Sequence, residues 1–229
     1  MTTDTHVKLF IPGPVEVRPA ILQAQVAPMI GHRSNEYATL QARIIPKLRP
    51  VFGTQGRVFV VTSSGSGLQE AAARNCVRQR CLCLVNGAFS QRWYETVLAN
   101  GKQADVVEVD WGKAILPEQV DERLRTGQYD AVTLVFNETS TGGLSPLAEI
   151  AQVVRRYPDV MLLVDAVSAA GGVEILADSW GLDVCLTSSQ KALALPPGLA
   201  LCSVSDRAMR RAASVPYRGH YFDFLEYEK

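Results

Sequence analysis

Short apolar runs alternate with amphipathic stretches along most of the chain. Runs at 57–62, 81–85, 105–109, 131–136, 161–164, 184–186 and 199–204 are rich in Val, Leu and Cys, the composition of strands covered on both faces. Between them lie stretches with helical spacing. Asn35 can cap a helix through Tyr37, Leu40, Ile44 and Leu48, with Pro46 expected to kink or shorten its last turns. The stretch 68–77 holds three consecutive alanines and is a strong helix former. Helices are also expected at 90–100 and 117–124. From Pro146, the apolar residues Leu147, Ile150, Ala151 and Val154 recur at three and four positions, so one face of that helix packs on a sheet. Pro117 and Pro146 stand where a helix can start, the position that tolerates proline. Asp206 begins a short helix rich in arginine. This alternation predicts an α/β fold of three layers, a mostly parallel sheet with helices on both faces.

The ends of the chain depart from the pattern. Residues 1–20 are expected to form an N-terminal arm, of which 1–8 would be mobile. Within it, Ile11, Pro12, Gly13, Pro14 and Val15 make a stiff, irregular segment, because prolines flanking a glycine neither pair as a strand nor start a long helix. A large domain is expected over 21–215, and the aromatic, charged stretch 216–229 reads as the start of a further, truncated C-terminal segment.

Composition narrows the class. With 229 residues, 47% hydrophobic and 20% charged, the chain can bury one large core or a core with a small appendage. Lys and Arg number 23 against 23 Asp and Glu, so no net field draws a nucleic acid or an acidic membrane, and small molecules are the expected partners. Cys76, Cys81, Cys83, Cys185 and Cys202 are odd in number and sit mostly in apolar runs, which reads as reduced core thiols in a cytoplasmic protein. Cys81 and Cys83 have no second pair to complete a zinc site, so no metal is expected. The first six residues lack the pattern of a secretory signal. No apolar stretch approaches the roughly 20 residues of a membrane helix.

Candidate chemistry collects just after the strands. Lys191 lies between two apolar runs, in the stretch Thr187, Ser188, Ser189, Gln190, Lys191, Ala192, Leu193 followed by Pro196, Pro197 and Gly198. A lysine at a strand end commonly snorkels to water. Asp165 ends the run Met161, Leu162, Leu163, Val164, and an acid at the end of a buried strand is costly unless paired. Such a lysine and acid match the needs of pyridoxal phosphate, the amine for a Schiff base with the aldehyde and the acid for the pyridine nitrogen. The turn Ser63, Ser64, Gly65, Ser66, Gly67 opens a helix, which suits an anion, although it also reads as a plain flexible turn. It is neither a P-loop nor a dinucleotide fingerprint. Phe89 follows the strand 81–85 and could be ordinary packing. The turn from Asn137 to Gly142, with Glu138 and Thr139, follows another strand. Open α/β sheets bind ligands at the carboxyl ends of their strands, and Ser66, Phe89, Asp165 and Lys191 all fall there.

The Ser189, Gln190, Lys191, Ala192, Leu193 stretch with its Pro-Pro-Gly, the Val164, Asp165, Ala166, Val167, Ser168 stretch and their separation of 26 residues resemble the class V pyridoxal-phosphate aminotransferases, in particular the alanine or serine glyoxylate branch. The similarity runs from Pro12 to the last residue. It implies that Lys191 holds the cofactor and acts as general base, with Asp165 at the pyridine nitrogen. It also implies that Ser66, Gly67, Leu68 and Gln190 bind the phosphate. Phe89 would stack on the ring where similar enzymes commonly have tryptophan, Val167 would pack on the opposite face, and Thr139 would lie near the phenolic oxygen. The segment 11–15 and Gly31, His32, Arg33, Ser34 would lie near the active site at the interface of a homodimer. The implied activity is transamination between serine or alanine and a 2-oxo acid such as glyoxylate. Similar enzymes continue into a smaller C-terminal domain that carries an arginine for the substrate carboxylate and a segment that helps bind the partner's phosphate. This sequence contains neither, so the alternative is a truncated cofactor-binding or interaction fragment without catalysis of its own. A desulfurase is a weaker reading, because that group uses a cysteine late in the chain and a histidine where Gln190 stands.

Overall fold

The computed structural model describes residues 6–229. The first five residues of the expected mobile arm lie outside the described part. Seven strands form one sheet: β1 (Arg57–Thr62), β2 (Arg80–Val85), β3 (Gln103–Glu108), β4 (Ala131–Val135), β7 (Met161–Asp165), β8 (Val184–Ser188) and β9 (Leu199–Val204), with β5 (Asn137–Glu138) and β6 (Gly143–Leu144) as a separate small ribbon. The spatial order is β1-β9-β8-β7-β4-β2-β3. Strands β8, β7, β4, β2 and β3 run parallel to one another, whereas β9 runs antiparallel to both β8 and β1. Chain length explains the exception. Only ten residues join Ser188 to Leu199, fewer than a crossover to a parallel strand requires. Because β1 is antiparallel to β9, its end at Thr62 falls on the same edge as the ends of the parallel strands.

Strands β4, β7 and β8 are buried at every position, while the edge strands β1 and β3 keep partly exposed residues. Successive side chains of each central strand therefore feed two cores. One, around Leu82, Leu134, Leu162 and Val164, is covered by α5 (Pro117–Leu124), α6 (Leu147–Val154) and the end of α2 (Asn35–Phe52). The other, around Cys83, Val135, Leu163 and Leu186, is covered by α3 (Gly65–Cys76), α4 (Ala88–Ala99) and α8 (Asp206–Ser214). These are the three layers anticipated from the strand and helix alternation. The short helices α1 (Pro19–Ala24) and α7 (Ala177–Trp180) have no counterpart in the pattern.

Two expectations need correction. Helix α2 runs unbroken through Pro46 and Pro50 to Phe52. Its proline rings leave the carbonyls of Ala42 and Pro46 without their helical donors, but both residues are exposed and water can serve them. Ile45, Leu48, Val51 and buried Phe52 pin its second half to the core, and Gly53 ends it at φ 60°. A Cβ on Gly53 would lie 2.1 Å from the Ile175 carbonyl oxygen, so glycine is required there twice over. Helix α3 starts at Gly65 instead of Leu68, because the Ser64 hydroxyl caps it by accepting from the Gly67 amide at 3.2 Å.

Residues 216–229 lie against α3. Helix α9 (Phe224–Tyr227) buries Phe224 completely. The Asn75 amide donates to the Phe222 carbonyl at 2.6 Å and accepts from the Phe224 amide at 3.0 Å. By contrast, the N-terminal part up to Ile44 leaves Val7, Phe10, Leu22, Val26, Met29 and Leu40 exposed.

Candidate active site

The loops after β1, β2, β4, β7 and β8 surround a cavity of about 280 Å³ at the carboxyl edge of the sheet. Seven of the residues selected from sequence line it: Ser66, Phe89, Thr139, Asp165, Val167, Gln190 and Lys191. Gly67 and Leu68 do not. Leu68 is buried in the core, its amide accepted by the Ser64 carbonyl, and the Gly67 amide is taken by the Ser64 hydroxyl. His32 is exposed in the turn before α2 and is likewise not part of the lining.

Asp165 ends β7 and is almost wholly buried. Its Oδ2 accepts from Gln69 Nε2 at 2.6 Å and its Oδ1 from the Val167 amide at 2.8 Å. Burial pushes its pKa up to about 6, against the pull of those two donors and of Lys191. Lys191 stands in the loop after β8. Partial burial lowers the proton affinity of its ammonium, and the charge of Asp165 partly opposes this. The arm fixes the path of the lysine. The Val15 amide donates to the Gln190 carbonyl at 3.1 Å, and a Cβ on Gly13 would fall 2.5 Å from Lys191 Cδ and 3.0 Å from Nζ.

Phe89 opens α4 and is held by an acid from the turn after β4. Glu138, fully buried, accepts from the Phe89 amide at 3.1 Å, the Ser90 amide at 2.9 Å, and the amide and hydroxyl of Ser140 at 3.1 and 2.7 Å. Burial pushes its pKa upward, but the hydrogen bonds from Ser140, Ser90 and Phe89 together outweigh that and leave it below the ordinary carboxylate value. The Arg92 guanidinium, one turn on, lies 5.0 Å from the Phe89 ring centroid and also lines the cavity. Thr139 Oγ1 is 2.6 Å from Ser168 Oγ. Val167 packs on the first turn of α3, where a Cβ on Gly65 would come within 2.6 Å of its Cγ2.

Sequence reasoning missed Gln69, Arg92, Asn137 and Ser188 in the lining. Gln69 and Arg92 each lie one turn or less beyond a selected residue, Ser66 and Phe89, and that spacing was the available signal. Ser188 Oγ and Gln69 Oε1 are buried without a hydrogen-bond partner, and buried polar atoms left this way commonly mark a site for a ligand or water.

An amine that reaches the same cavity as a desolvated acid is the pairing a pyridoxal-phosphate protein needs. Residues 22–229 match the Aminotransferase class-V family, and the chain belongs to it. It is 40% identical over 227 residues to an uncharacterized aminotransferase of Methanocaldococcus jannaschii, covering 96% of this chain and 58% of that protein. Serine–glyoxylate aminotransferase of Methylorubrum extorquens is 32% identical over 234 residues, which covers 96% of this chain and 58% of the relative. The crystal structure of alanine–glyoxylate aminotransferase from Nostoc sp. superposes with a TM-score of 0.90 at 30% identity, over 94% of this chain and 58% of that one. The chain therefore spans about three-fifths of the length of these relatives. Pyridoxal phosphate is the cofactor of this family. The lysine, the buried acid, the aromatic ring at a helix start and the two orphaned polar atoms fit it.

Proposed function

We propose that this chain carries the cofactor site of an aminotransferase that moves an amino group between a small amino acid, serine or alanine, and a 2-oxo acid such as glyoxylate. The observation that carries this reading is the convergence of Lys191 and buried Asp165 on one cavity. The names of similar proteins, serine–glyoxylate and alanine–glyoxylate aminotransferases among them, support the substrate class. Bound in the cavity, pyridoxal phosphate would supply an electron-accepting ring for charge at the substrate α-carbon.

The residues of the chain do the rest. Lys191 Nζ would hold the cofactor through its aldehyde and would be the general base that carries the substrate α-proton. Its lowered proton affinity keeps more of it in the basic form near neutral pH. Asp165 holds the proton on the pyridine nitrogen. Phe89 and Val167 would hold the ring, and Thr139 would serve its oxygen substituent. Ser66 and Gln190 take the phosphate, with Gly67 and Leu68 supporting it only through the turn they shape, since their amides are already used.

The reading extends to domain organisation, assembly and location. Residues 21–215 act as the large, cofactor-binding domain behind an N-terminal arm at 1–20, and 216–229 lead toward a further segment. A homodimer is supported by apolar side chains such as Phe10 and Met29, which are 92% and 96% exposed. A cytoplasmic setting is supported by five cysteines that are all free and buried. Among the described residues, no helix is long and apolar enough to cross a membrane.

The test is borohydride reduction of the purified chain mixed with pyridoxal phosphate, followed by peptide mapping and by assays with serine or alanine and glyoxylate. Label confined to Lys191 with turnover supports the whole reading. Label confined to Lys191 without turnover favours the cofactor-binding fragment. Label spread over surface lysines overturns the site.

A further inference from the structure

Helix α3 turns an apolar face to the sheet through Leu68, Ala71, Ala72 and Cys76, and Gln69 is a polar exception on it, only 2% exposed. Its backbone carbonyl accepts from Trp93 Nε1 at 3.0 Å, which fixes this turn of the helix against α4. Its side chain makes one hydrogen bond, from Nε2 to Asp165 Oδ2 at 2.6 Å, and leaves Oε1 buried and unpartnered. An apolar side chain of similar volume would spare the protein that orphaned oxygen. The glutamine is therefore explained by what its amide does to Asp165.

The acid has few other partners. On the β7 side the Val167 amide donates to Oδ1. The charged and titratable groups facing it are Glu138 from β5, whose charge opposes ionisation, Lys191 from the loop after β8, whose charge favours it, and the Cys185 thiol on β8. Without Gln69 the carboxylate would keep one direct donor, be free to rotate about its last bond, and face burial with less compensation. A donor aimed at Oδ2 selects the ionised form, and it also fixes the plane of the carboxylate.

We propose that Gln69 is a positioning residue, whose amide orients the Asp165 carboxylate and holds it ionised for the pyridine nitrogen of the cofactor. This rests on the aminotransferase reading above. The role does not require Gln69 to touch the cofactor.

The experiment compares the wild type with Gln69→Met, which keeps volume and removes the donor, and with Gln69→Leu as a second apolar variant should the first not fold. The titration of the Asp165 carboxyl is followed by ¹³C NMR in the cofactor-free chain, its resonance assigned by its loss in Asp165→Asn. Both variants are expected to make Asp165 ionise about tenfold less readily, and cofactor affinity should fall most steeply on the acid side. An unmoved titration in a folded variant overturns the proposal. Borohydride labelling of Lys191 in the wild type separates the two ideas. Specific labelling with an unmoved Asp165 titration discards only the role of Gln69, whereas failed labelling discards the site itself.

Discussion

Asp165 and Glu138 are both buried carboxyls at the same edge of the sheet, yet their proton affinities move in opposite directions. Asp165 meets two donors, Gln69 and the Val167 amide. Glu138 meets the amides of Phe89, Ser90 and Ser140 and the hydroxyls of Ser90 and Ser140. It also sits at the start of α4, where the helix dipole favours a negative charge. At Glu138 the donors together outweigh burial, whereas the two at Asp165 do not. The consequences differ as well. Glu138 is a fixed strap that ties the β4–β5 corner to the helix bearing Phe89, whereas Asp165 retains capacity for a further partner.

Removing the strap should give the largest effect. Glu138→Ala leaves several buried donors unmatched and is expected to cost about 4 kcal/mol in urea unfolding at neutral pH. Because the folded pKa lies below the unfolded one, Glu138 stabilises above the ordinary carboxylate range, and that gain fades as pH falls through the lowered value. The deficit of the variant should therefore shrink in acid. A pH-independent deficit would break the contrast with Asp165.

Asp165→Asn should act with the opposite sign. With a folded pKa of about 6, the favourable contribution of the acid is complete below its unfolded pKa and is lost as pH rises through that value. In the cofactor-free chain, the substitution is expected to raise stability above pH 6 by roughly 2–3 kcal/mol and to change little near pH 4. Thermal melts across this range, read without cofactor, test it. Equal melting temperatures at high pH would mean that Asp165 is as well compensated as Glu138.

Crowding the strap is a smaller perturbation. A Cβ on Gly87 would stand 2.4 Å from Glu138 Cγ and 2.6 Å from Ser140 Oγ. Gly87→Ala is expected to cost about 2 kcal/mol, and Gly87→Ala combined with Glu138→Ala should cost less than the sum, as a double-mutant cycle would reveal. Gly13→Ala should affect stability least. Its methyl would collide with the flexible Lys191 chain, and alanine is strained at the φ of 154° that Gly13 adopts, so the substitution is expected to cost about 1 kcal/mol in unfolding while borohydride labelling of Lys191 slows by a few fold.

Much of the fold was legible because burial writes itself into short apolar runs. The runs at 131–136 and 161–164 became β4 and β7, and the alanines of α3 fall on its packed face. The lysine and acid stood out because charged residues beside such runs are costly. Pro46 misled, since local propensity says nothing of the packing by Leu48 and Phe52 that carries α2 past it. Gln69 escaped notice for a related reason. A glutamine in a helix reads as surface until the sheet beneath it is known.

By itself the sequence determined the alternation of strands and helices, the layer architecture and the residues able to carry charge at strand ends, all of which follow from local hydrophobic pattern and desolvation cost. The tertiary structure decided the reversal of β9, the place of Gly67 and Leu68 outside the cavity and the opposite tuning of Asp165 and Glu138. Those depend on which donors arrive from segments far away in the chain. Gln69 comes to Asp165 across 96 residues, and Glu138 reaches the start of α4 across 48 or 49. A hydrogen bond over such a distance has no trace in local pattern, because only the packed sheet brings its two ends together.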